Sequence, residues 1–218
     1  MKTAAFIPIK LNNERMPNKN TRLFSNGKPL MTYVLETLAK VPDIDGVYVY
    51  CSQEQVVEFF PKNVKFIKRS ESLDAKNTNG TEIIKHFVED VIADIYFMSH
   101  ATTPFVSCES FEKGISAVKS GNYDSAFSVE KIQQFLWMNG KPINYDPAYI
   151  PRSQDLPGIY GETNGFYVFP RQLVLEHGRR IGFNPFMVEL TATESIDIDY
   201  EEDFLIADAI AGMKDILQ

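Results

Sequence analysis

Two acids separated by one residue, Asp197 and Asp199 in the segment ESIDIDYEED, form the clearest chemical pair in the chain. If residues 195–199 are extended, Ile196 and Ile198 point to one face and both carboxylates to the other, about 7 Å apart by the strand rise. That spacing suits one hard cation. Mg2+ takes oxygen ligands, keeps several waters, and is commonly held by one or two carboxylates together with substrate phosphates. A solvated strand edge shows the same alternation, so the pattern alone leaves both readings open. Asp203 stands with Glu201 and Glu202 in the first turn of a following helix, where acids meet the positive end of the helix dipole, and is read as structural. Phe204, Ala207, Ile210 and Met213 predict the buried face of that helix.

A second constellation lies near the start of the chain. From Lys10 to Lys28 there are five bases, Lys10, Arg15, Lys19, Arg22 and Lys28, against the single acid Glu14, in a chain of net charge −7. Asn12, Asn13, Asn18, Asn20 and Gly27 favour turns and leave backbone amides able to face an anion. Side-chain charge plus amide direction is phosphate-binding chemistry; a solvated basic loop is the bland reading of the same residues. No GxxxxGK[ST] occurs, which excludes a Walker A loop.

These loops need a scaffold. Apolar, β-branched or aromatic runs recur at 3–9, 46–52, 64–67, 94–99, 124–129 and 165–169, and helical spacing marks 29–40 and 81–92. Strand then helix, repeated, predicts a mostly parallel α/β sheet with helices on both faces and ligands at the carboxyl ends of its strands. The basic run directly follows the first strand. Residues 130–163 break the rhythm with Pro142, Pro147, Pro151 and Pro157 and are expected to leave the sheet. Their apolar members Phe135, Leu136, Trp137 and Ile143 predict packing on a second subunit, as a homodimer, or on this subunit's own sheet.

One domain is expected at 218 residues, with 44% hydrophobic and 23% charged residues. No apolar run reaches the roughly 18 to 20 residues that span a bilayer, and the opening MKTAAFIPIK reads as a strand rather than a signal peptide. Cys51 and Cys108 sit in no metal-ligand spacing, which removes support for zinc and makes a cytoplasmic location the default. The negative balance argues against a nucleic-acid surface.

The segment IPIKLNNERMPNKN resembles the opening signature of the cytidylyltransferases that activate sialic, pseudaminic, legionaminic and Kdo-type acids, which reads A-R-G-G-S-K-x-I-P-x-K-N after a strand. Pro17, Lys19 and Asn20 fall on its P and K-N. Lys10 falls on its arginine, which keeps the charge and loses the bidentate fork. Arg15 matches a K-R-I-P variant. SIDIDYEED is similar to the family's metal motif, so the resemblance gives Asp197 and Asp199 an Mg2+ role. HATTPFV resembles Q-P-T-S-P-L-R, with His100 on the acceptor-contacting glutamine, Thr102 inside the motif, and Val106 where the family has arginine. PRSQDLPGIYGETNGFYVF resembles P-R-Q-x-L-P…x-N-G-x-I-Y-I, with Arg152 on the residue that meets the acceptor's carboxylate and Asn164 on the one that meets its sugar.

Arg69 aligns with an arginine near the nucleotide. Asn79 and Thr81 open a helix and face the base or ribose on this reading, or only cap the helix. No lysine stands at 134–138 where the family has one, and Glu162 sits near a position often basic. The resemblance implies a nucleotide-diphospho-sugar transferase type of fold and transfer of CMP from CTP to an acidic 2-keto-3-deoxy sugar. Lys10, Lys19 and Arg15 would serve the triphosphate. A transferase using another base or acceptor, and a non-catalytic nucleotide-sugar binder, are the competing expectations.

Overall fold

A computed structural model describes residues 1–12 and 15–217, with side chains through residue 213. Asn13 and Glu14 of the basic run lie outside the described residues. In chain order the strands are β1 (Thr3–Pro8), β2 (Gly46–Cys51), β3 (Val64–Lys68), β4 (Ile95–Ser99), β5 (Ser125–Ile132), β6 (Trp137–Met138), β7 (Lys141–Pro142), β8 (Ile159–Pro170) and β9 (Pro185–Glu189). The helices are α1 (Leu30–Leu38), α2 (Gly80–Asp90), α3 (Cys108–Lys119), α4 (Arg171–His177) and α5 (Glu201–Leu217).

Seven strands form one sheet in the order β3-β2-β1-β4-β8-β5-β9, and β6 pairs only with β7. β1 is parallel to both neighbours, with Ala5 opposite Val47 and Phe97. β8 alone runs against the rest, antiparallel to β4 and to β5. The apolar run of β1 follows from this position: a central strand is covered on both faces, so nearly every residue is buried. α1 and α3 cover one face through Met31, Val34, Leu35, Phe111 and Ile115. α2 and α4 cover the other through Ile84, Phe87, Val88, Leu173 and Val174.

A third apolar cluster lies off the sheet and determines where the chemistry sits. Met16 and Phe24 of the basic run, Phe105 of the loop after β4, Ile198 of the aspartate segment, and Phe204 and Ala207 of α5 are buried against one another. Two segments far apart in sequence are thereby held together.

All six apolar runs form strands, while β9, α3 and α4 were not read from the sequence. β9 opens on a proline, which an edge strand tolerates. The stretch at 130–163 is only partly an excursion: β5 runs to Ile132 and β8 starts at Ile159, leaving the small β6–β7 hairpin as an arm. Residues 195–199 are not a strand. Ser195 lies in a turn closed by its amide on the Thr191 carbonyl, and the Ile198 amide bonds Thr102 rather than a sheet neighbour. Met213, placed by spacing on the buried face of α5, is 62% exposed, because the cluster beneath that helix ends at Ala211. No described helix is long and apolar enough to cross a membrane.

Candidate functional site at the carboxyl edge of the sheet

The strand order reverses between β1 and β4, because the chain goes from β1 outward to β3 and then returns to the other side of β1. Loops leaving such a point part to opposite sides and open a crevice. Two adjoining hollows of about 450 Å³ each lie there; they share Lys10, Asn12, Ala75 and Lys76. One is also lined by Pro17 and Asn18, the other by Arg69, Thr78 and His100.

The basic loop is clasped to the aspartate segment. Lys19, 7% exposed, donates through Nζ to the Ile198 carbonyl at 2.5 Å and lies 3.2 Å from Asp199 Oδ1. Arg15 Nη1 reaches Asp199 Oδ2 at 2.7 Å. Asn20, also buried, donates Nδ2 to the Lys10 carbonyl at 3.0 Å and so fixes the start of the loop. Lys10 Nζ donates to the Asp74 carbonyl. Asp203 accepts the amides of Asp199 and Tyr200 at 2.9 and 2.8 Å, a structural role that sets the direction of Asp199. Arg22 forks onto both Glu201 oxygens at 2.5 and 2.6 Å.

Asp197 accepts from Asn164 Nδ2 on Oδ2 at 2.8 Å, whereas its Oδ1 is buried with no hydrogen-bond partner among the described residues. An unpaired buried carboxylate oxygen is costly, and it marks a point where a ligand atom belongs. Among the described residues no three His, Cys, Asp or Glu side chains are grouped to hold a metal unaided. A hard cation would therefore draw on the two carboxylates and on oxygens of a substrate, the pattern expected for Mg2+.

His100 follows β4 and its Nδ1 lies 2.9 Å from the Asn164 carbonyl. Burial lowers its pKa, against the raising effect of that hydrogen bond, so the ring is neutral at pH 7, Nδ1 donates, and Nε2 is an acceptor. Thr102 enters through its backbone, as acceptor of the Ile198 amide.

The remaining expected residues divide. Arg69 is 3% exposed and pairs with Asp74 at 2.5 Å, while Ser52 donates to the other Asp74 oxygen. Asn79 and Thr81 are exposed at the start of α2, where Asn79 forms a capping box with Glu82. The structure shows the capping alternative for Asn79. Arg152 lines neither hollow: it lies between β7 and β8, paired with Asp155 three residues on at 2.7 Å.

Sequence reasoning missed Asp74, which anchors both Arg69 and Lys10, and a cluster on β8. Two residues of β5 are spanned by five of β8 between Phe127↔Tyr167 and Val129↔Glu162, a bulge that brings Glu162 onto the side of Tyr167. Tyr167 Oη donates to Glu162 Oε1 at 2.7 Å, and Arg180 Nη2 contacts both groups, at 2.9 and 3.0 Å. Gly165 is required inside the bulge, since a Cβ there would lie 2.8 Å from Ser128 Oγ.

A cationic loop that is clasped on Asp199, two residues from the unpartnered Asp197 Oδ1, and that also lines a switch-point crevice is the kind of site that handles nucleotide phosphates, and the sequence profile of the family described as Cytidylyltransferase matches residues 4–214. The chain belongs to the cytidylyltransferase family. It is similar to N-acylneuraminate cytidylyltransferase A of Danio rerio, 26% identical over 219 residues, covering 94% of this chain and 50% of that protein. It is also similar to 3-deoxy-manno-octulosonate cytidylyltransferase 2 of Hydrogenovibrio crunogenus, 28% identical over 183 residues, covering 82% of this chain and 68% of the relative.

The chain thus spans about half the length of the first curated relatives it matches. Among solved structures, a CMP:2-keto-3-deoxy-manno-octonic acid synthetase complexed with CTP superposes with a TM-score of 0.75 at 17% identity, over 98% of this chain and 100% of that one. At that identity the likeness establishes the fold, a mostly parallel sheet of the nucleotide-diphospho-sugar transferase type.

Proposed function

We propose that this chain transfers CMP from CTP to an acidic 2-keto-3-deoxy sugar and releases pyrophosphate. The observation that carries the reading is the clasp of Lys19 and Arg15 on Asp199, two residues from the unpartnered Asp197 Oδ1, by a loop that also lines the crevice. Family membership and the acid-sugar names of the relatives support it.

In this reading the acceptor's anomeric hydroxyl attacks the α-phosphorus in line, and little covalent work falls to the protein; positioning and charge neutralisation dominate. Asp197 and Asp199 would hold Mg2+, which when bound neutralises phosphate charge. Lys10 and Lys19 would face the departing pyrophosphate, and Arg15, paired with Asp199 here, would serve the phosphates beside them. Arg69, Asn79 and Thr81 border the nucleotide, while His100, Thr102 and Asn164 border the acceptor. The exposed apolar side chains of the arm, Trp137, Met138, Ile143, Tyr149 and Ile150, support a homodimer in which the arm and Arg152 pack on a second copy. The working location is the cytoplasm.

Replacing Asp199 by Asn keeps the shape and removes the charge. Turnover is expected to fall at least about a hundredfold, the scale for losing one preorganised electrostatic group, with an unchanged thermal midpoint. Near-native turnover in that variant removes the carboxylate pair from the mechanism.

A further inference from the structure

The basic loop lies on the β1 side of β4, and the cations there are already engaged: Lys19 and Arg15 with Asp199, Lys10 with the Asp74 carbonyl, and Arg69, from the loop after β3, with the Asp74 carboxylate. On the β8 side, His100 has a different cationic neighbour. β4 pairs with β8 only as far as Ser99↔Phe166, so residues 159–165 of β8 run past the end of β4 and border the space beyond His100. There the Arg180 guanidinium lies over the Tyr167 ring, with Cζ 3.6 Å from its centroid, and the same ring meets His100 edge-on at 6.4 Å.

The ring contact and the hydrogen bonds to Glu162 and to Tyr167 Oη hold the guanidinium in one place. Both of its hydrogen bonds leave from Nη2, to Glu162 and to Tyr167; among the described residues Nε and Nη1 donate to no protein acceptor, and the side chain is 30% exposed. Both two-donor edges of a guanidinium, Nε with Nη2 and Nη1 with Nη2, include Nη2, so a carboxylate that displaces Glu162 from Nη2 gains a bidentate partner.

We propose that Arg180 is a specificity-determining residue that takes the carboxylate of the acidic acceptor, with Tyr167 seating the guanidinium and Glu162 occupying its Nη2 until the acceptor's carboxylate displaces it. The inference rests on the acidic-sugar reading above and names the group that reads the acid within one subunit. Arg152, held to Asp155, is not needed for it.

The test is two-substrate kinetics of pyrophosphate release with CTP and four acids: N-acetylneuraminate, 3-deoxy-manno-octulosonate, pseudaminic acid and N,N'-diacetyllegionaminic acid. With whichever acid the wild type uses, Arg180→Gln is expected to raise the acceptor KM at least about tenfold, the scale of one lost charge-assisted pair, and to leave the CTP KM within about twofold. Arg180→Lys should fall between the two, because it keeps charge without the fork. Glu162→Gln, which frees the guanidinium, should leave the acceptor KM unchanged or lower.

A purely structural ion pair predicts the opposite: Arg180→Gln lowers the thermal midpoint while its acceptor KM stays within about twofold of wild type, and that result overturns the inference while leaving the acidic-sugar reading intact. Should Arg180→Gln not fold, a rise of about threefold or more in the acceptor KM of Arg180→Lys supports the proposal, and a smaller change there overturns it. Absence of turnover with all four acids overturns the reading on which the inference stands, and the inference with it.

Discussion

The basic loop and the arm are both irregular segments in which prolines, asparagines and apolar residues mix, yet they settle differently. In the loop, Met16 and Phe24 are buried against Ile198 and Phe204, and Lys19 and Asn20 are buried with them. In the arm, Trp137, Ile143 and Ile150 remain exposed, and Tyr149 is 78% exposed. What separates them is not polarity but the presence of an apolar seat. The loop's two hydrophobes enter a cluster that α5 completes, so its cations are carried to a defined place; among the described residues the arm's have no such seat, and Arg152 bonds only locally. Precision in a catalytic loop is inherited from what lies beneath it.

The comparison breaks most sharply at Phe24. Phe24→Ala should cost about 3 to 5 kcal/mol in urea unfolding, by cavity formation under the loop. Trp137→Ala on the arm should stay within about 0.5 kcal/mol for the isolated chain. Equal losses at the two sites would show that the arm has its own seat.

Acid titration probes the other fastening of the site. Glu194 gathers the Ser107 and Thr191 amides and the hydroxyls of Ser107, Ser110 and Thr191, which ties the loop after β4 to the turn before the aspartates. Burial alone would raise its carboxyl; the hydrogen bonds from Ser107, Thr191 and Ser110 outweigh that and hold it down to about 2. A depressed folded pKa contributes stability above the unfolded value of 4.5, and that stability is lost as pH falls from there toward 2. The contribution is on the order of 2 kcal/mol. Glu194→Gln should be less stable at pH 7 and should lack that part of the acid-dependent loss when unfolding is followed from pH 5 to pH 2.

The smallest effect belongs to the start of α2. Asn79→Ala should lower stability by about 1 kcal/mol through loss of the capping box, whereas Asn79→Asp, which caps equally well, should restore it. A raised CTP KM in Asn79→Asp at native stability would give the side chain a nucleotide contact in addition to its cap.

The strands were legible because β-branched and aromatic runs of four to seven residues were bounded by turn formers, and the first strand's apolar continuity followed from its central place. The acid pair and the basic loop were legible as chemistry, and resemblance to known cytidylyltransferases tied them together. The route by which they meet was not: the contact between residues 19 and 199 depends on a packing cluster whose members, Met16, Phe105 and Ile198, carry no signal of mutual approach. The Ile-Asp alternation at 195–199 suggested a strand, but the Glu194 turn diverts the backbone and its amides bond elsewhere. Arg180 stayed hidden for a related reason. A bulge in β8 sets which residues face Tyr167, and register shifts of that kind leave little trace in local sequence beyond a glycine such as Gly165.

The most direct test of the account is pyrophosphate release by the wild type and by Asp199→Asn, measured with each of CTP, GTP, UTP and ATP, with and without Mg2+, against 2-keto-3-deoxy sugar acids and neutral sugars. Release by the wild type that requires CTP, Mg2+ and one of the acids, and that collapses in Asp199→Asn, is the predicted result. Release with a neutral sugar or another nucleotide, or release undiminished in the variant, would contradict it.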